Sequence, residues 1–127
     1  MFSYESLEIW QLAIEYAKTI YNITSKFPKT EQYGLSSQLR RAAVSISANI
    51  AEGSGAISLK DKLNFLDIAI KSALETTSEI HIAFALNYLN NPTREEIYSQ
   101  AEIIIKRIRA FKKFLQNHKP YTINYKQ

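Results

Sequence analysis

Cysteine is absent from this chain of 127 residues, so neither a disulfide framework nor a thiolate metal site is open to it. Imidazole is scarce as well, with only His81 and His118 to supply it. No apolar run approaches the length needed to cross a bilayer. The N-terminus carries Glu5 and Glu8 where a secretion signal would place a basic segment ahead of an apolar run. Together these absences point to a soluble, cytoplasmic protein with no membrane partner. The length suits one domain that buries roughly two-thirds of its unfolded surface without crosslinks.

Acid is missing from one end. The first 102 residues hold nine Lys or Arg and all twelve Asp or Glu, whereas residues 103–127 hold seven Lys or Arg and no acid. The formal charge of +4 is therefore a C-terminal property. Such a distribution suits a polyanionic partner, and equally a solvated basic helix whose cations complement its dipole.

What the chain has is helical periodicity. The central stretch, Leu35 to Gly53, reads LSSQLRRAAVSISANIAEG. On a helix, Leu35, Leu39, Ala42, Ala43, Ile46 and Ile50 fall on one side, and Gln38, Arg41, Ser45, Ala48, Asn49 and Glu52 on the other. The second face is small and hydrogen-bonding instead of crowded with Lys and Glu, which suits close approach of another helix. Four helices are predicted, over about 4–26, 36–53, 59–89 and 94–117. Their end signals are Ser3, Phe27-Pro28, Ser36, a C-capping Gly53, a Ser58/Asp61 box, Asn90-Asn91-Pro92 and a Thr93/Glu96 box. Joined by short connections, they make an all-α, up-down-up-down four-helix bundle over residues 1–120, followed by a tail over 121–127.

Two of the helices carry more apolar surface than one bundle needs. In the first, Leu7, Trp10, Ile14, Ala17, Tyr21 and Thr24 form one stripe, and Ile9, Ala13, Tyr16, Ile20, Ile23 and Phe27 another. In the third, the stripe from Leu59 through Leu66, Ala73 and Ile80 to Phe84 faces away from a second one that contains Phe65, Ile68, Ser72, Glu75, Glu79, Ile82 and Leu86. Two faces to bury imply a homo-oligomer. The carboxylates of the second stripe need donors if they are buried, and Arg41 and Arg40 are the candidates. Arg40, Arg41, Ser45, Asn49, Glu52, Ser72, Glu75 and Glu79 are thus expected to form a structural polar network or subunit interface.

Catalysis is not expected. Di-iron bundles use Glu-x-x-His pairs, and Glu79-Ile80-His81 is one residue short. Glu75 and Glu79 lie one turn apart with no nucleophile or metal set nearby in sequence, and no cofactor is implied. His81, beside apolar residues, is expected to be partly buried and hydrogen-bonded. Gly53-Ser54-Gly55 sits at the carbonyl-rich end of its helix, the wrong pole for a phosphate.

The run GLSSQLRRAAVSISANIAEGSG, followed after a short gap by FLDIAIKSALETTSEI, resembles the family of four-helix-bundle proteins encoded in intervening sequences of bacterial 23S ribosomal RNA genes. That family includes the accessory variability protein of diversity-generating retroelements. Its most specific parts here are RRAAVSI-x-ANIAEG and the Ser72-x-x-Glu75 of the third helix, and Ser47 stands where proline is usual. The resemblance implies homopentameric barrels without catalytic residues. It also implies, for the retroelement member, binding to nucleic acid and to a reverse transcriptase. The functional expectation is electrostatic binding of RNA or DNA through Lys106, Arg107, Arg109, Lys112 and Lys113 of the fourth helix. The alternative is an oligomeric scaffold for a partner such as a reverse transcriptase.

Overall fold

In the computed structural model, which describes residues 1–118, α1 (Glu8–Thr24), α2 (Leu35–Gly55), α3 (Leu59–Ala85) and α4 (Asn91–Asn117) form a four-helix bundle. Short 3-10 turns occupy Ser3–Ser6 and Lys29–Glu31, and there is no strand among the described residues. Neighbours in sequence are neighbours in space, and α4 closes the bundle against α1. The pairs Thr24 with Arg40, Ser54 with Lys62 and His81 with Tyr98 each join the end of one helix to the start of the next, so successive helices run antiparallel. The expected 121–127 tail lies outside the described residues.

Local chemistry moves the helix ends by a few residues from their expected places. Leu7 is extended, at φ −74° and ψ 127°, which separates the first 3-10 turn from α1 and delays the helix to Glu8. The α2 N-terminus is capped by Glu31, whose Oε1 accepts from the Leu35 N–H at 3.1 Å, so Ser36 is free to be buried. Glu31 also accepts from the Tyr88 hydroxyl at 2.8 Å, and these two donors hold its carboxyl below its usual range. Ser58 Oγ caps α3 as expected, accepting from Asp61 N–H at 3.0 Å. That helix stops at Ala85 because Asn87 turns left-handed at φ 65°. Asn87 N–H then bonds Phe84 O, and Tyr88 N–H bonds Ala83 O, in a Schellman closure. The α4 cap is Asn90, with Oδ1 accepting from Thr93 N–H at 2.9 Å, in place of the expected Thr93/Glu96 box, and Pro92 fits the first turn.

Gly53 is a helix-packing residue and not a C-cap. α2 runs through it to Gly55, and no glycine has a positive φ. A Cβ on Gly53 would stand 3.2 Å from Phe65 Cβ and 3.3 Å from Lys62 O, so the missing side chain lets α2 approach α3 closely.

The core is built from Ile9, Ala13, Tyr16 and Ile20 of α1, Leu39, Ala43, Ile46 and Ile50 of α2, Leu66, Ala69, Ala73 and Ile80 of α3, and Ile97, Ala101, Ile104 and Ile108 of α4. Of the two α1 stripes, the one through Tyr16 is the bundle core; Trp10, Ile14 and Ala17 are half-buried and Tyr21 is exposed. One polar pair lies inside. Tyr16 and Thr76 share a hydrogen bond of 2.8 Å, and burial pushes the phenol up to about 12. The second α3 stripe is split: Ser72 and Glu79 are buried, whereas Ile68, Glu75, Ile82 and Leu86 lie at the surface of the single chain.

Candidate nucleic-acid interface

The cations of α4 divide into two groups with different work. Arg107 Nη1 donates to Glu8 Oε1 at 2.5 Å, tying α4 to α1, and Lys112 Nζ donates to Asp67 Oδ1, tying α4 to α3. The wheel places these two on either flank of the core stripe, where bundle carboxylates are in reach. Lys106, Arg109 and Lys113 are exposed and enter no ion pair among the described residues. They recur at intervals of three and four, so they form one outward stripe about 10 Å long. Of the five expected residues, these three have no carboxylate partner among the described residues.

The α2–α3 polar face assembles in part. Ser45 Oγ and Ser72 Oγ are 2.9 Å apart, and Asn49 Nδ2 donates to Ser45 O at 2.8 Å and to its Oγ at 3.0 Å. The Ser45–Ser72 bond stitches α2 to α3 midway along their length, and Asn49 braces Ser45 from within α2. Glu52 is exposed and outside this set.

The expected pairing of Arg40 or Arg41 with the third-helix carboxylates does not form. Arg40 points the other way, donating through Nε to Thr24 Oγ1 at 2.8 Å and through Nη2 to Tyr21 O at 3.4 Å, with its guanidinium 4.7 Å above the Tyr21 ring. It clamps α2 to α1. Consecutive residues on a helix diverge by about 100°, so Arg40 and Arg41 cannot serve the same neighbour. Arg41 is exposed and donates to Ser37 Oγ at 3.1 Å. It stands with Tyr33, Gln38, Ser45, Ser72 and Glu75 around an open cleft of about 550 Å³.

Among the described residues, Glu79 is left as a buried carboxyl without a cation. It is 7 % exposed, its Oε1 has no hydrogen-bond partner, and Glu75 is its ionisable neighbour one turn away. Burial first, and then the adjacent Glu75 carboxyl, push it up to about 7. No sequence signal separates Glu79 from Glu75, which is exposed, because a wheel places both on the same stripe.

His81 is exposed, contrary to expectation, with Nδ1 3.3 Å from the Tyr98 hydroxyl. It borders a groove of about 600 Å³ between α3 and α4, whose walls include Leu74, Ile82, Tyr98 and Ile105. Sequence reasoning also missed Arg94, whose guanidinium lies 4.0 Å from the Phe84 ring and joins α4 to α3. Among the described residues no group of three or more His, Asp or Glu is placed to hold a metal ion, and no helix is long and apolar enough to cross a membrane.

A family profile described as 23S rRNA-intervening sequence protein matches residues 5–110. A crystal structure of a protein of unknown function from the S23 ribosomal protein family of Bacteroides thetaiotaomicron is 32 % identical, covering 83 % of this chain and 98 % of its own, with a TM-score of 0.75. No curated protein matches.

Proposed function

The chain belongs to the 23S rRNA-intervening sequence protein family, and from that premise we propose that it is a non-enzymatic cytoplasmic protein that self-associates and binds nucleic acid electrostatically through α4. One observation supports the reading: Lys106, Arg109 and Lys113 line a single outward face, while the neighbouring Arg107 and Lys112 are paired with Glu8 and Asp67. Free cations at helical spacing neutralise phosphates and release counterions, which gives steep salt dependence and little sequence preference. Self-association is supported by the apolar side chains that α3 leaves at the surface, Ile68, Leu74, Ile82 and Leu86. Several copies of the stripe in one ring-shaped assembly, a pentamer in our reading, would raise avidity without any new contact.

A scaffold for another protein, such as a reverse transcriptase, is the second reading. It is favoured by the groove between α3 and α4, which is mostly apolar and wide enough to seat side chains of a partner.

The test is a salt titration of binding to labelled RNA and duplex DNA, with the mass of the protein followed by light scattering in the same buffers. Binding at low salt that weakens as salt rises, and is abolished by Lys106→Glu, Arg109→Glu and Lys113→Glu together, is the expected result. An assembly that binds neither probe even at low salt would reject the nucleic-acid reading and favour the scaffold.

A further inference from the structure

The last turns of α4 carry a second feature beside the cationic stripe. Phe111, Phe114 and His118 recur at intervals of three and four, and their rings form a ladder. The Phe111 and Phe114 centroids are 6.3 Å apart with planes at 11°, and those of Phe114 and His118 are 4.1 Å apart with planes at 24°. Phe111 is half-buried and anchors the ladder against the core, whereas Phe114 is 51 % exposed and His118 is exposed. The imidazole is held in place: Nδ1 lies 2.8 Å from Phe114 O, so it carries the proton and donates to that carbonyl. A half-exposed phenylalanine at this position does nothing for the bundle core, yet its ring is ordered by neighbours on both sides.

The ladder flanks the stripe. On the wheel Phe114 lies about 80° from Lys106 and about 100° from Lys113, one quarter of the way around a helix whose diameter is about 10 Å. That separation is comparable to the span from a phosphate to the base it carries. A duplex hides the faces of its bases in its own stack and can offer this surface only its backbone. An unpaired strand can lay phosphates on the stripe and extend the ring ladder with a base, because every base has a π-face and stacking on aromatic side chains needs no sequence.

We propose that the α4 surface is a single-strand site, in which Lys106, Arg109 and Lys113 take the backbone of an unpaired nucleic acid and the Phe114–His118 end of the ladder stacks one of its bases. The proposal rests on the electrostatic reading of α4 given above and specifies the class of strand that the surface selects. Charge complementarity selects this occupant: Lys113 directly precedes Phe114, Lys106 and Arg109 continue the cationic stripe along the same helix, Arg107 on the ladder's own side of the helix is held by Glu8, and α4 has no acid beyond Glu102.

The experiment compares fluorescence anisotropy with an unstructured oligonucleotide and a duplex of equal length, both across a salt series, for the full chain and its variants. The single strand is expected to bind more tightly than the duplex at every salt, with a log–log slope near −2 for three cations. The double variant Phe114→Ala, His118→Ala should weaken the single strand by about five-fold to a hundred-fold, leave the duplex unchanged and leave the salt slope unchanged. Phe114→Trp should keep or strengthen single-strand binding, and the mass by light scattering should match wild type in each variant. Equal affinity for strand and duplex, both insensitive to the ladder variants, would overturn this inference while the electrostatic reading survives. Failure of both probes to bind at low salt would overturn both. A fall in mass on loss of Phe114 would also overturn it, by making the ladder a contact between copies of the chain.

Discussion

Glu79→Gln is expected to stabilise the protein at neutral and alkaline pH, although it removes a native charge. The folded carboxyl stands near 7 against an ordinary value of 4.5, because burial penalises its charge and Glu75 lies beside it. Below pH 4.5 folded and unfolded chains both hold the proton and the effect vanishes. Between 4.5 and 7 the unfolded chain loses its proton first, so the folded state binds more protons and stability falls as pH rises. Above 7 the loss is complete. At full strength the displacement corresponds to roughly 3 kcal/mol. The open cleft beside Glu75 admits water that screens the pair, which reduces the expected loss to about 1–2 kcal/mol. Gln fills the same space without a charge, so chemical denaturation of the variant should exceed wild type by that amount at pH 8 and equal it near pH 4. The variant's stability should also slope less between those limits. A variant less stable than wild type at pH 8, or one with an unchanged slope, would refute the assignment of Glu79 as a buried acid lacking a cation.

Arg40→Ala should cost about 1–2 kcal/mol in urea denaturation, since it strands the Thr24 hydroxyl contact and removes the guanidinium from the Tyr21 face. Arg41→Ala, which removes one exposed bond to Ser37, should stay within about 0.5 kcal/mol of wild type in the same assay. Gly53→Ala should lower stability by about 1 kcal/mol despite the better helix propensity of alanine, because its Cβ meets Phe65 and the Lys62 backbone; a rise in melting temperature would count against the close crossing. Arg107→Ala and Lys112→Ala, whose charges are engaged within the bundle, should change the salt slope of nucleic-acid binding less than Lys106→Ala or Lys113→Ala does.

The helices were legible because periodicity is a local property. Stripes such as Ile97, Ala101, Ile104 and Ile108 mark α4 as an amphipathic helix whatever it packs against, and they are buried as their spacing requires. Helix ends were less legible, since a cap depends on which of several nearby polar groups wins. Asn90 outcompetes Thr93, and Glu31 caps α2 from outside the helix. Gly53 belongs with these cases: a glycine near a helix end reads as a terminator, and only the proximity of α3 makes it a crossing point.

Fold class, the four helices, the family and the concentration of cations in the fourth helix all follow from residue types at fixed spacing along one chain. Which charge meets which was decided by tertiary structure. Arg40 turns to Tyr21 and Thr24, Arg107 to Glu8 and Lys112 to Asp67, leaving, among the described residues, Glu79 without a cation and Lys106, Arg109 and Lys113 without an acid. Ion pairs form between residues distant in the chain, so partner choice depends on the rotation of each helix about its own axis. That rotation is set by the packing of all four cores together and is written in no single helix.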